Sequence, residues 1–186
     1  MSGRNLVCTA ITVADFRPDI VFFPDPAEIA PHAIAFARMM FAHTSLERRV
    51  AALQDAITRQ PGFGEQRANQ WGTRQRSKLM VELIETDRGK DFPQAGEITK
   101  LLTDAVDPCE QRNLLAHGEW WGFDRPTAAI IVRSDTRWEH PEIPPEHRRY
   151  TASDIEVVAA KFKDIEAELS KLIRAINEDR RAELGR

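Results

Sequence analysis

The chain has 186 residues, 42% hydrophobic and 30% charged, and its 26 Lys+Arg against 29 Asp+Glu leave a net charge of −3. That length suits one domain with a sizeable core, and the near-neutral balance excludes a protein that coats nucleic acid by bulk charge. The longest nearly apolar run, Thr127 to Val132, falls far short of the roughly 20 residues of a membrane-spanning helix.

Cys8 and Cys109 are too few for a disulfide scaffold and lack zinc-ligand spacing. They read as free thiols in the cytoplasm. Asp15 and Arg17 interrupt the mildly apolar N-terminal stretch, so no secretory signal is expected. Neither a metal nor a cofactor is expected.

Residues 1–25 read as an N-terminal extension whose short runs, Ile11-Thr12-Val13 and Ile20-Val21-Phe22-Phe23, either form edge strands or pack on the body. A long helix follows. Asp25 suits its N-cap and Pro26 its first position, although Pro31 offers a later start. Ile29, Phe36, His43, Val50 and Ile57 recur every seven residues. Ala33, Met40, Leu46 or Glu47, and Leu53 fill the interleaved positions, predicting one apolar seam. Pro61-Gly62 ends it.

After a glycine-bearing loop over 61–72, a second helix is expected over 73–86, burying Leu79, Met80, Leu83 and Ile84. A third is expected over 95–117. Pro108 lies in its middle and predicts a kink or a restart capped by Asp107. Residues 119–123 and 128–134 are β-rich about the turn Asp124-Arg125-Pro126 and read as a hairpin. Residues 135–150 read as a proline-bearing loop, with His140 and His147 exposed.

The last helix opens with a Thr151/Asp154 capping box, with Ser153/Glu156 as a second one. Ile155, Val158, Phe162, Ile165, Leu169, Leu172 and Ile176 form its apolar stripe. Residues 178–186 read as a charged, fraying tail. The expected fold is therefore mainly α, a bundle of about four helices over 26–177 with a small β-hairpin inserted before the last helix.

The stretch Arg112-Asn113-Leu114-Leu115-Ala116-His117-Gly118 gathers polar chemistry at a helix end. Gly118 stops the helix, and His117 falls in the last turn, where the dipole favours a cation. Asn113 and His117 share a face at i, i+4. Arg112 is about 140° round from His117, with about 7.5 Å of rise between them. A second copy of the helix, brought in by a two-fold axis, completes such a site more easily than one chain does. Histidine moves protons at neutral pH, arginine clamps phosphate oxygens, and asparagine orients a phosphate or a 2′-hydroxyl. The group suits metal-free phosphodiester chemistry. The bland reading of the same residues is a capped and paired helix end.

Arg112, Asn113 and His117 resemble the signature of the HEPN superfamily, in which four to six residues separate an Arg from a following His and a polar residue often comes directly after the Arg. The resemblance covers residues 26–177. It implies a metal-independent endoribonuclease that works as a homodimer, with His117 as general acid or base, Arg112 as phosphate clamp and Asn113 as orienting amide. It also implies a toxin or bacterial defence role, and for some members an antitoxin partner. Glu119 stands where antitoxin-paired toxins carry Tyr. Members that have lost catalysis bind a nucleotide or a partner protein instead.

Other residues suit contact with RNA or support of the site. Arg67, Arg74, Arg76 and Lys78 form a run free of acids around Trp71, suited to gripping a single strand by charge and stacking. The more common outcome for such a run is a solvated surface with a packed Trp. Trp120 and Trp121 alternate along their strand, so one packs and the other is available to floor a cleft; Trp120 is the candidate. Glu47, on the apolar seam, either pairs across helices or orients Arg112 or His117.

Overall fold

The last helix is the clearest case of sequence dictating structure. In the computed structural model, which describes residues 20–21, 24–58, 94–134 and 147–184 together with Gln75, Lys78, Met80, Val81, Glu82 and Ile84, it runs over Ala152–Leu184. Its start is the Thr151/Asp154 box. The Thr151 N–H and hydroxyl donate to Asp154 Oδ2 at 2.8 and 2.7 Å, and the Asp154 N–H returns a bond to Thr151 Oγ1 at 3.1 Å. Ser153 is exposed, and Glu156 pairs with Arg38 instead. Ile155, Val158, Phe162, Ile165, Leu169, Leu172 and Ile176 are all buried. The charged end does not fray before Leu184, and the Arg180 guanidinium donates to the Ala56 carbonyl.

The described elements, in chain order, are β1 (Ile20–Val21), α1 (Pro26–Thr58), α2 (Ala95–Asp104), α3 (Val106–His117), β2 (Glu119–Asp124), β3 (Ala129–Arg133), β4 (His147–Thr151) and α4 (Ala152–Leu184). Gln75, Lys78, Met80, Val81, Glu82 and Ile84 are also helical, with Met80 and Ile84 buried. The described chain is thus mainly helical with a small antiparallel sheet, and a hairpin precedes the last helix. No described helix is long and apolar enough to cross a membrane.

Asp25 caps α1 as its side chain suggests, accepting the Ala27 N–H at 2.7 Å, while Glu28 accepts the Asp25 N–H at 3.0 Å. The helix begins at Pro26 and passes through Pro31. The seam differs from expectation in the first half of α1. His43, Val50, Leu46 and Leu53 are buried, but Ala33 is exposed and Ile29, Phe36 and Ile57 are half-buried. Earlier on the helix the buried set is His32, Ala35 and Met39. Ile34 and Phe41 are 53% and 78% exposed, so apolar identity alone does not fix the face of this alanine-rich helix.

Pro108 breaks the third predicted helix further upstream than a cap at Asp107 requires. Helix α2 ends at Asp104, four residues before the proline, whose ring has no N–H to offer the Asp104 carbonyl and crowds it. Asp107 sits in the first turn of α3 and pairs with Lys161 at 3.1 Å.

By contact density the chain forms two compact units, Met1–Met40 with Glu110–Ala159, and Phe41–Cys109 with Ala160–Arg186. The first holds the sheet, ordered β1-β2-β3-β4 and antiparallel throughout. Two strands go beyond the hairpin. Ile20–Val21, placed in the N-terminal extension, pairs along β2 as an edge. His147–Thr151, read as loop, pairs along β3; its His-Arg-Arg-Tyr-Thr composition hides a strand whose Tyr150 is fully buried. His147 is accordingly half-buried and meets the Trp121 ring edge-on at 5.3 Å. Burial, then the charge of Arg133, lowers its pKa.

Helix α1 holds the hairpin turn. Arg125 donates from Nε and Nη2 to the two oxygens of Glu28 at 2.8 and 3.2 Å, and the His32 ring bonds the Ala128 carbonyl at 3.1 Å. Ala128 adopts a left-handed φ of 47°, closing the 3-10 turn Arg125–Thr127. In the second unit, Arg49 pairs with Glu166 at 2.9 Å and His43 packs edge-on against Phe162 at 5.2 Å. Cys109 is buried and forms no disulfide among the described residues.

Thr151→Ala is expected to cost about 0.5–2 kcal/mol in urea unfolding, whereas Ser153→Ala stays within about 0.5 kcal/mol. A pH effect follows from His32, which is 3% exposed. Burial holds its pKa below the usual value, the Ala128 and Tyr150 backbone bonds opposing. The unfolded chain therefore takes up this proton more readily, so the contribution is full above about pH 6.5 and is lost as pH falls from there through the lowered folded-state pKa. Urea midpoints measured across pH 5–8 will show this decline, and His32→Gln will reduce it, leaving the share of His147.

Candidate functional site

Helix α3 ends at His117 and β2 begins at Glu119, leaving Gly118 as the whole connection. The Gly118 N–H closes the helix on the Leu114 carbonyl at 2.8 Å. A Cβ at this position would lie 2.4 Å from that carbonyl oxygen, 2.7 Å from Val132 Cγ1 and 3.0 Å from the Arg133 carbonyl oxygen. Glycine is required here because helix and sheet backbones approach too closely for any side chain.

Trp120 fastens the same junction. Its indole N–H donates to the Leu115 carbonyl at 2.9 Å, and its ring meets Phe36 edge-on with centroids 5.6 Å apart. This satisfies one of the carbonyls left open at the helix end. Trp120 thus supports the helix terminus rather than standing free as a stacking surface. Trp121 lies at the register shift between Trp120 and Gly122 and packs instead against Ile20 and Ile131.

On this braced terminus, Asn113 and His117 are exposed and Arg112 is half-buried. Arg112 Nη1 donates to Asn113 Oδ1 at 2.9 Å. Adjacent residues diverge on a helix, so the guanidinium reaches round its own helix to meet the amide, shortening the offset that a regular helix imposes. The bond also occupies the Asn113 oxygen, so the amide NH₂ of this exposed residue is the group left to donate. Arg112 Nε is buried and has no hydrogen bond among the described residues. Beyond the terminus, Glu119 faces Arg133 at 3.8 Å. These side chains offer a proton carrier, a cation and an amide within the last two turns of one helix.

Arg67, Trp71, Arg74 and Arg76 lie outside the described residues. Lys78 is helical and exposed. Glu47 is half-buried in the second unit, with its carboxylate 3.8 Å from His43 Nδ1. Among the described residues no group of three or more His, Cys, Asp or Glu is placed to hold a metal. Phe36, read only as a seam residue, is the support that sequence reasoning missed. Its partner Trp120 is too distant in the chain for any local signal to join them.

Gly118→Ala tests the junction. It is expected to lower stability by about 1–3 kcal/mol in urea unfolding, since backbone atoms on both sides must give way. Comparison with protein-family models, with curated proteins and with solved structures gives no match to this chain.

Proposed function

We propose that the protein is a metal-independent endoribonuclease of HEPN type, a helical-bundle homodimer that cuts RNA at a cleft shared by two copies of α3. The observation that supports this is the exposure of Asn113 and His117 on the last two turns of α3, with the Arg112 guanidinium bonded to Asn113. A helix end kept for packing would bury Asn113 and His117 rather than expose them.

In this reading the 2′-hydroxyl attacks the adjacent phosphorus. Its proton passes to His117 of one copy, and the P–O5′ bond breaks. The 5′-oxygen takes a proton from His117 of the other copy, leaving a 2′,3′-cyclic phosphate and a 5′-hydroxyl. Arg112 uses its open donors to hold the phosphate oxygens as negative charge builds. Asn113 donates to a phosphate oxygen or orients the 2′-hydroxyl. The protein acts in the cytoplasm as a toxin or defence effector, and an antitoxin protein is a candidate partner.

The test is cleavage of total RNA in chelator, with end analysis of the products and sedimentation to establish the dimer. His117→Ala is expected to lower the rate by about 10²–10⁴-fold, and Arg112→Ala by about 10²–10³-fold. Equal cleavage by wild type and both variants would sink the assignment. No cleavage by any of the three turns the reading to a non-catalytic module that binds a nucleotide or a partner protein.

A further inference from the structure

A groove in the second unit lies along the C-terminal half of α4, with a volume of about 340 Å³. Arg49 of α1 lines it, together with Ser170, Arg174, Asn177, Glu178 and Arg181 of α4. Its wall therefore carries three guanidinium groups against one carboxylate. Arg49 is held from behind by Glu166 through Nε at 2.9 Å, and its side chain remains 48% exposed. Arg174 and Arg181 are exposed, and among the described residues no carboxylate pairs with either.

The spacing is regular. Arg174 and Arg181 are seven residues apart, so they lie within about 20° of each other, separated by about 10.5 Å along the axis. Ser170 and Asn177 fall on the same stripe, at i−4 and i+3 from Arg174. The wall thus alternates cation and neutral polar group along about three turns. A compact anion needs one such cation. Two of them spaced along one stripe of the groove match a ligand that carries negative charge at intervals.

We propose that this groove binds the phosphodiester backbone of single-stranded RNA. The choice of RNA among polyanions rests on the nuclease reading above; the preference for a repeating anion rests on the groove. Guanidinium forks take phosphate oxygens, and Ser170 and Asn177 contact sugar or phosphate without reading sequence.

The probe is a fluorescein-labelled 12-nucleotide 2′-O-methyl RNA, which lacks the nucleophile and cannot be cut. Its binding to the full chain is followed by anisotropy at 50–200 mM salt. R174E/R181E is expected to weaken binding at least 10-fold at 50 mM salt, and R174Q/R181Q by less. Loss of two phosphate contacts will reduce the slope of log K against log salt by about 1.4, at about 0.7 per phosphate on a single strand. Thermal unfolding checks that both variants fold, as expected for exposed side chains. Labelled polyglutamate is the competing probe.

Undiminished RNA binding by R174E/R181E overturns the proposal. So does an absence of RNA binding by the wild type, or preference for polyglutamate over RNA. The groove and the nuclease reading fail separately. If the wild type cuts RNA and R174E/R181E binds and cuts as well, the groove assignment falls and the nuclease stands. If R174E/R181E loses RNA binding while neither wild type nor variant cuts, the groove stands and the nuclease falls.

Discussion

The approach of helix to strand at Gly118 is the constraint on which the rest of the candidate site depends. A helix that enters a sheet through one residue leaves no slack in which its last turn can reorient. Here the residue has backbone oxygens on two sides and a valine methyl on a third, all within 3.0 Å of where a Cβ would stand. The indole of Trp120 then crosses the same junction to a carbonyl of the last turn. His117 and Asn113 are therefore exposed on a terminus whose backbone is fixed. A group that exchanges protons with a substrate needs this combination, because solvent access alone leaves its position to chance.

The sheet that receives α3 is itself held by α1. Glu28 serves two ends of that arrangement. One oxygen caps the Asp25 N–H while both engage Arg125 in the hairpin turn, and the Arg125 bonds are the leading cause of its lowered pKa. The pair is exposed, so its worth lies in geometry rather than in Coulomb energy. His32 adds a buried bond to the carbonyl of Ala128, the residue with the left-handed backbone. Phe36, one turn further along, meets Trp120. Successive turns of one helix thus fix the hairpin turn and then the strand beside the site.

What could be read from the sequence was whatever depends on near neighbours. The α4 stripe and the Thr151/Asp154 box were legible because period and cap both lie within a few residues. The hairpin was legible for the same reason. The face of α1 was not, because its alanines fit several seven-residue frames and the choice rests on distant partners such as Phe123 and Trp120. Strand β4 was hidden because its pattern is polar and its pairing with β3 spans a long connection. For the site, the motif and its helix-end position were legible. The bond from Arg112 to its immediate neighbour was not, since helical geometry alone points those two side chains apart.

A chain of charge −3 can still present a cationic groove, because ionic groups count locally by whether they are paired. Several of the acids are already paired. Glu156 faces Arg38, Glu166 faces Arg49, Asp107 faces Lys161, Glu168 faces Lys171 and Asp124 faces Arg149. Each pair cancels most of its field beyond a few ångströms in salt. Arg174 and Arg181 keep theirs, and they stand two turns apart on one stripe. The negative total then works in favour of specificity. It weakens long-range attraction of nucleic acid to the chain as a whole and leaves local attraction where cations are uncompensated, as at Arg174 and Arg181. A polyanion held by so few contacts binds with a shallow dependence on salt, and its affinity depends on matching the spacing of the cations rather than on the charge of the whole protein.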